Sequence, residues 1–239
     1  MNGSEILRNI CGENNFTISD LQILLLEKYV ALFGEWNEKI NLMSRKDIDN
    51  IRTRHIIGSI AFLFQNSIAQ KCNIVDVGTG GGLPGIPLAI LLPDCKFTLV
   101  DSIRKKINAV EAMVKSLSLA NVRTLLGRAE ELSAKPEYRK RYDYVIARAV
   151  GSASDLINWS SGFLRQKEPS PLISEKQGSK LFIFPGTIIL MKGGDLSEEI
   201  SNVKKARKSW TIETYPMDVK GVPPEDLQDK KFILLREGK

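Results

Sequence analysis

The sequence predicts an α/β protein, a doubly wound and mostly parallel sheet of about seven strands carrying a helical N-terminal extension. Three observations lead there. Beyond Lys71, short apolar runs alternate with amphipathic stretches of helical length. One of those runs, Ile74-Val75-Asp76-Val77, enters Gly78-Thr79-Gly80-Gly81-Gly82 and passes directly into the apolar stretch Leu83 to Ile90, a strand, glycine turn and helix in immediate succession. The first 70 residues, by contrast, carry only helical periodicity.

The elements can be placed in chain order. Residues 19–40 put Leu21, Leu24, Leu25, Tyr29, Leu32, Phe33, Trp36 and Ile40 at three-and-four spacing, and Ser19-Asp20-Leu21-Gln22 reads as a capping box at the start. Residues 47–65 are a less regular helical stretch that contains His55. Strands are expected at 73–77, 97–101, 122–126, 144–147, 187–191, 211–215 and 231–235, with helices at 86–92, 104–117, 153–164 and 196–209. Residues 166–180, rich in Ser, Pro, Lys and Glu, read as a mobile surface loop. Two regions result: a helical one over 1–70 and a ligand-binding one over 71–239.

Composition narrows the class. With 239 residues, 43% apolar and 26% charged, the chain suits one main globular domain with an appendage. No run approaches the roughly 18–20 unbroken apolar residues of a membrane span, and no signal-peptide pattern opens the sequence, so a cytoplasmic location is expected, with no membrane partner. Cys11, Cys72 and Cys95 are too few and scattered for a disulfide framework or a metal site, and read as buried free thiols. A net charge of +6 permits a polyanionic partner without requiring one.

The glycine turn points to a nucleotide-like cofactor, because a turn without Cβ atoms that opens a helix lets a ligand approach unpaired backbone N–H groups. Two classes share it, the dinucleotide-binding proteins and the S-adenosylmethionine (SAM) methyltransferases. Counting from Gly78 and Gly80, the place of a third fingerprint glycine is taken by Leu83. Asp76 would repel a pyrophosphate, yet it can orient the turn or accept a hydrogen bond from an ammonium group. The pattern therefore favours SAM. Asp101, closing the second strand, suits ribose hydroxyls and fits either cofactor.

Four segments carry a closer resemblance: Trp36-Asn37-Glu38-Lys39-Ile40-Asn41-Leu42, Arg54-His55-Ile56-Ile57, the run from Asp76 through Leu83-Pro84-Gly85-Ile86-Pro87, and Ile146-Ala147-Arg148-Ala149. In this order they resemble the bacterial 16S rRNA guanine-N7 methyltransferases, the glucose-inhibited division protein B family. The resemblance implies a Rossmann-like class I SAM-dependent sheet with its last strand antiparallel, SAM as cofactor and S-adenosylhomocysteine as product. It also implies methylation of a guanine in the 530 loop of 16S rRNA, with the small subunit or an assembly intermediate as partner. Carried over by position, it makes Gly78, Gly80 and Leu83 turn contacts to SAM, Asp101 a ribose ligand, Ala129 and Glu130 neighbours of the adenine, and Arg148 a group facing the cofactor or substrate.

The fourth strand runs into Arg148-Ala149-Val150, with neither the Asn/Asp-Pro-Pro-aromatic loop used on exocyclic amines nor the Pro-Cys pair used in carbon methylation. A guanine N7 needs neither, since its free lone pair attacks without losing a proton. No catalytic general base is expected, and alignment of the reactants is the protein's main contribution. Candidate RNA contacts are Lys192, at a strand end before Gly193-Gly194, with Arg54 and His55; for His55, the only histidine, a structural packing or hydrogen-bonding role is the preferred reading and RNA contact the alternative. Gly58 stands where that family commonly has aspartate. Other readings are methylation of another RNA or a small molecule, and a noncatalytic ribosome-assembly protein.

Overall fold

The computed structural model describes residues 2–165, 173–177 and 180–238. Helices α1 (Gly3–Glu13) and α2 (Asp20–Ile40) both begin in capping boxes, from Asn2 and Ser19. In the second, the Gln22 amide donates to Ser19 Oγ at 3.2 Å and the Ser19 amide to Gln22 Oε1 at 3.0 Å. The stretch beyond is broken into helical turns at Arg45–Ile48, Gly58–Ile60 and Phe62–Gln65, with a wider π-helical turn over Ile51–Ile57.

Seven strands form the main sheet: β1 (Asn73–Val77), β2 (Lys96–Asp101), β3 (Val122–Leu126), β4 (Tyr144–Arg148), β5 (Thr187–Gly193), β6 (Trp210–Pro216) and β7 (Lys230–Glu237). Their spatial order is β3-β2-β1-β4-β5-β7-β6, with β7 antiparallel to both neighbours. The order reverses between β1 and β4, where Ile74 pairs with Tyr144, and a crevice opens beyond the carboxyl ends of strands at such a point. Helices α3 (Gly85–Leu91), α4 (Arg104–Ser116), α5 (Ala129–Ala134), α6 (Ala153–Ser160) and α7 (Ser197–Ala206) complete the crossovers.

Strand alternation sorts the core into two layers. Ile74, Leu99, Ile146, Ile189 and Leu234 pack with Leu7, Leu26, Tyr29 and Phe33 of α1 and α2. Val75, Val145, Ile188 and Ile233, one residue along each strand, pack on the other face with Leu156, Ile157 and Val203. The N-terminal helices therefore share one apolar core with the sheet instead of forming a separate body. Cys72 and Cys95 are buried free thiols whose sulfurs lie 3.1 Å apart. Among the described residues, no helix is long and apolar enough to cross a membrane.

The loop expected over 166–180 is corrected in part. Ile173–Gln177 is a strand, paired antiparallel with Lys180–Ile183, which in turn runs parallel to Asn66–Ser67. Polar residues such as Ser174, Glu175 and Lys176 hide this strand in the sequence, because a short strand at the edge of a small sheet needs no apolar alternation. Residues 166–172 and 178–179 of that expectation lie outside the described residues.

Candidate active site

The glycine turn is clamped from both sides. Gly78, Gly80 and Gly82 have φ of +70°, +58° and +97°. A Cβ at Gly78 would stand 2.6 Å from Val150 Cγ2, and one at Gly81 would stand 2.4 Å from the Phe33 ring. Packing against the β4 loop and α2 therefore requires glycine at 78 and 81, and backbone conformation favours it at 78, 80 and 82. Asp76 is fully buried; its Oδ2 accepts from Thr79 Oγ1 at 2.7 Å and from the Gly85 amide at 2.9 Å. Its role is to orient the turn. Burial raises its carboxyl to about 7. Tyr29 OH donates to the Gly81 carbonyl at 2.8 Å, pinning the turn to α2.

Asp101 fixes the second wall, its Oδ2 accepting from the Gly80 amide and its Oδ1 from the Ile103 amide, each at 2.9 Å. Each oxygen keeps a lone pair for a further donor. Gly78, Gly80, Leu83, Asp101, Ala129, Glu130 and Arg148 all line one cleft of about 590 Å³, within the roughly 300–1,000 Å³ usual for small-molecule sites. Glu130, in the first turn of α5, accepts from Arg128 Nε at 2.7 Å, which holds its carboxyl below the ordinary range.

Other lining residues are not legible as such in the sequence. Phe33 reaches the cleft from α2, Leu42 and Met43 from the loop after it, and Trp159 from α6. Asn41, with φ of +53°, turns that loop, and Asn37 Oδ1 accepts from the Met43 amide at 2.7 Å. The Trp-Asn-x-x-x-Asn-Leu run is the available signal, because paired asparagines flanking a helix end are turn chemistry.

Arg148 closes the cleft where β4 ends. Its Nη1 donates to the His55 carbonyl at 2.9 Å and Ser59 Oγ at 3.0 Å, and its Nη2 donates to the Arg54 carbonyl at 3.2 Å and His55 Nδ1 at 2.8 Å. Four of its five N–H donors thus brace the helical segment, leaving Nε–H and the net charge for a ligand. No carboxylate pairs with it among the described residues, and burial lowers the guanidinium to about 10.

A second cavity, also about 590 Å³, adjoins the first and shares His55, Arg148 and Ala149 with it. The expected RNA contacts border it, but two have protein partners. Lys192 Nζ binds Glu199 Oε1 and Oε2 at 2.6 and 2.7 Å and the Gly151 carbonyl at 3.0 Å, so all three donors are spent and a phosphate would have to displace Glu199. Arg54 pairs with Asp47 at 2.9 Å and Asp226 at 3.1 Å. Asp226 is 3% exposed and also accepts from Thr53 Oγ1, a bond 173 residues apart in sequence that no local pattern could announce.

The cleft suits SAM on structural grounds: a turn in which a Cβ at Gly78, Gly81 or Gly82 would collide with the protein, an acid, Asp101, with free lone pairs, and an apolar wall beyond. Residues 22–178 match the model of the family described as rRNA small subunit methyltransferase G. The chain belongs to this family. A relative so named from Flavobacterium psychrophilum is 38% identical over 80% of this chain and 83% of that protein. Another from Chlorobaculum tepidum is 32% identical over 98% and 99% of the two. Among solved structures, a fibrillarin/Nop5p complex matches with a TM-score of 0.52 at 14% identity, covering 77% of this chain and 81% of that one. A predicted O-methyltransferase of Agrobacterium tumefaciens matches at 0.51 and 13%, with the same coverage. These two share the fold. Family membership makes the protein a SAM-dependent rRNA methyltransferase of the class I α/β type.

Proposed function

We propose that the protein transfers a methyl group from SAM to N7 of a guanine in the 530 loop of 16S rRNA, in the cytoplasm, on the small subunit or an assembly intermediate. The supporting observation is the seam between the two cavities. Its only ring nitrogen base, His55, has Nδ1 occupied by Arg148 and is held neutral, its pKa pushed down to about 4 by burial and the Arg148 charge. That ring therefore cannot take a proton from an acceptor that must shed one, whereas a guanine N7 has none to shed.

When bound, SAM supplies an electrophilic methyl on a cationic sulfur. The Gly78–Gly82 turn offers its backbone, Asp101 the acceptors for ribose hydroxyls, and Ala129 and Glu130 the edge for an adenine. Phe33, Leu42 and Met43 exclude water from one side, which sharpens alignment of the reactants, a term worth up to several kcal/mol.

The test is a titration with SAM and NAD, then incubation with small-subunit rRNA and mass mapping of modified guanines. SAM binding followed by one new 7-methylguanine in the 530 loop is expected. A methyl group on another atom or another RNA, or preferential NAD binding, would overturn the proposal.

A further inference from the structure

Resting on that reading, we infer that the Nε2–H of His55 is the group that identifies the target base as guanine, by donating a hydrogen bond to its O6. Arg148 sets the tautomer of the ring. A guanidinium can only donate, so the 2.8 Å contact from Arg148 Nη2 makes His55 Nδ1 an acceptor and puts the single proton of the neutral ring on Nε2. The ring stays neutral across the working range of pH, because burial and the charges of Arg148, Arg54 and Lys230 outweigh the opposing pull of Asp47.

That Nε2 is buried and donates to no described residue. Asp47 Oδ1 is nearest among the acids at 4.0 Å, beyond hydrogen-bond reach, and its carboxylate is engaged by Arg54 and Ser44. A buried donor without an acceptor is costly and uncommon, so an acceptor arriving from outside recovers that cost. His55 borders both the cofactor cleft and the adjoining cavity, the seam where a base must meet the methyl group. Asp47 lines the same cavity, and its carboxylate must move aside for the oxygen to reach Nε2.

The chemistry of the purine edge then decides the base. Guanine presents N7 and O6 side by side, both acceptors, so a donor to O6 holds N7 next to the bond-forming position. Adenine presents N7 beside an amino group, and two donors would face each other. The arrangement selects guanine and takes no proton from it.

The test uses the full chain and 16S rRNA assembled by ligation, with either guanine or 2-aminopurine, which lacks O6, at the target position. His55→Asn and His55→Phe are compared with wild type, with SAM affinity and thermal unfolding measured on each. Wild type should prefer guanine by about 10- to 100-fold in kcat/KM. His55→Phe should lose most of that preference, falling on guanine while changing little on 2-aminopurine, and His55→Asn, which keeps an amide donor, should retain part of it. Loss by the same factor on both RNAs, as a structural role would give, would overturn the inference and leave the proposed function intact. Absence of guanine methylation by wild type would overturn both.

Discussion

Replacing Asp76 by asparagine should make the protein more stable, and increasingly so as pH rises. The carboxyl is fully buried beneath the glycine turn; desolvation lifts it from 3.8 to about 7, helped by the Asp101 charge and opposed by bonds from Thr79 and Gly85 and by the Arg148 charge. Below about pH 4 both folded and unfolded chains hold the proton, and Asp76 contributes no pH dependence. Between about 4 and 7 only the unfolded chain ionises, so each step up in pH favours unfolding, and above 7 the penalty is complete. A rise from 3.8 to about 7 corresponds to roughly 4 kcal/mol. Asparagine keeps one oxygen for Thr79 and Gly85 and cannot ionise. Urea unfolding of both proteins from pH 5 to pH 8 isolates the effect, since the difference between them cancels every other group. That difference should move in favour of Asp76→Asn by roughly 2–3 kcal/mol over the interval. A difference independent of pH would refute the reasoning, because it would mean that the folded protein holds no proton on Asp76.

Three further outcomes are expected. Gly58→Asp places a carboxylate beside Arg148, the new Cβ standing 3.9 Å from Nη2 and 3.2 Å from Leu227 Cδ2, and should raise stability by about 1 kcal/mol; a lowered Tm would mean that the Leu227 contact dominates. Gly78→Ala should cost about 1–3 kcal/mol in urea unfolding as well as weakening SAM binding, because its Cβ meets Val150 at positive φ; unchanged stability would contradict that contact. Lys192→Met and Glu199→Gln should each lower Tm, and the double variant should lose less than the two losses added; strict additivity would show the pair is not coupled.

The sheet is legible in the sequence because its strands are short apolar or alternating runs between helical stretches, and the turn because glycines between a strand and a helix have few other uses. The cleft wall is legible to the same degree: Gly78, Asp101 and Arg148 lie at or just beyond strand ends, and those ends meet at one edge of the sheet. Contacts made by long side chains across the chain escape such a reading. Lys192 and Arg54 look available from sequence, but Glu199, Asp47 and Asp226 engage them. His55 reads as either a packing group or an RNA contact, and the structure gives it a packing bond at Nδ1 with an orphan donor at Nε2. The glycine turn reads from sequence as shaped for its ligand, but Val150 packs against Gly78 as well. Charge and spacing locate such groups along the chain; only the tertiary arrangement says what they are already bound to.

The two long-distance clamps on the helical segment also govern timing. Arg148 reaches back 93 residues to His55, and Asp226 reaches back 173 residues to Thr53. The glycine turn and its flanking strands are built from near neighbours and can form early, while the wall carrying His55 is fully braced only after both of these large loops have closed.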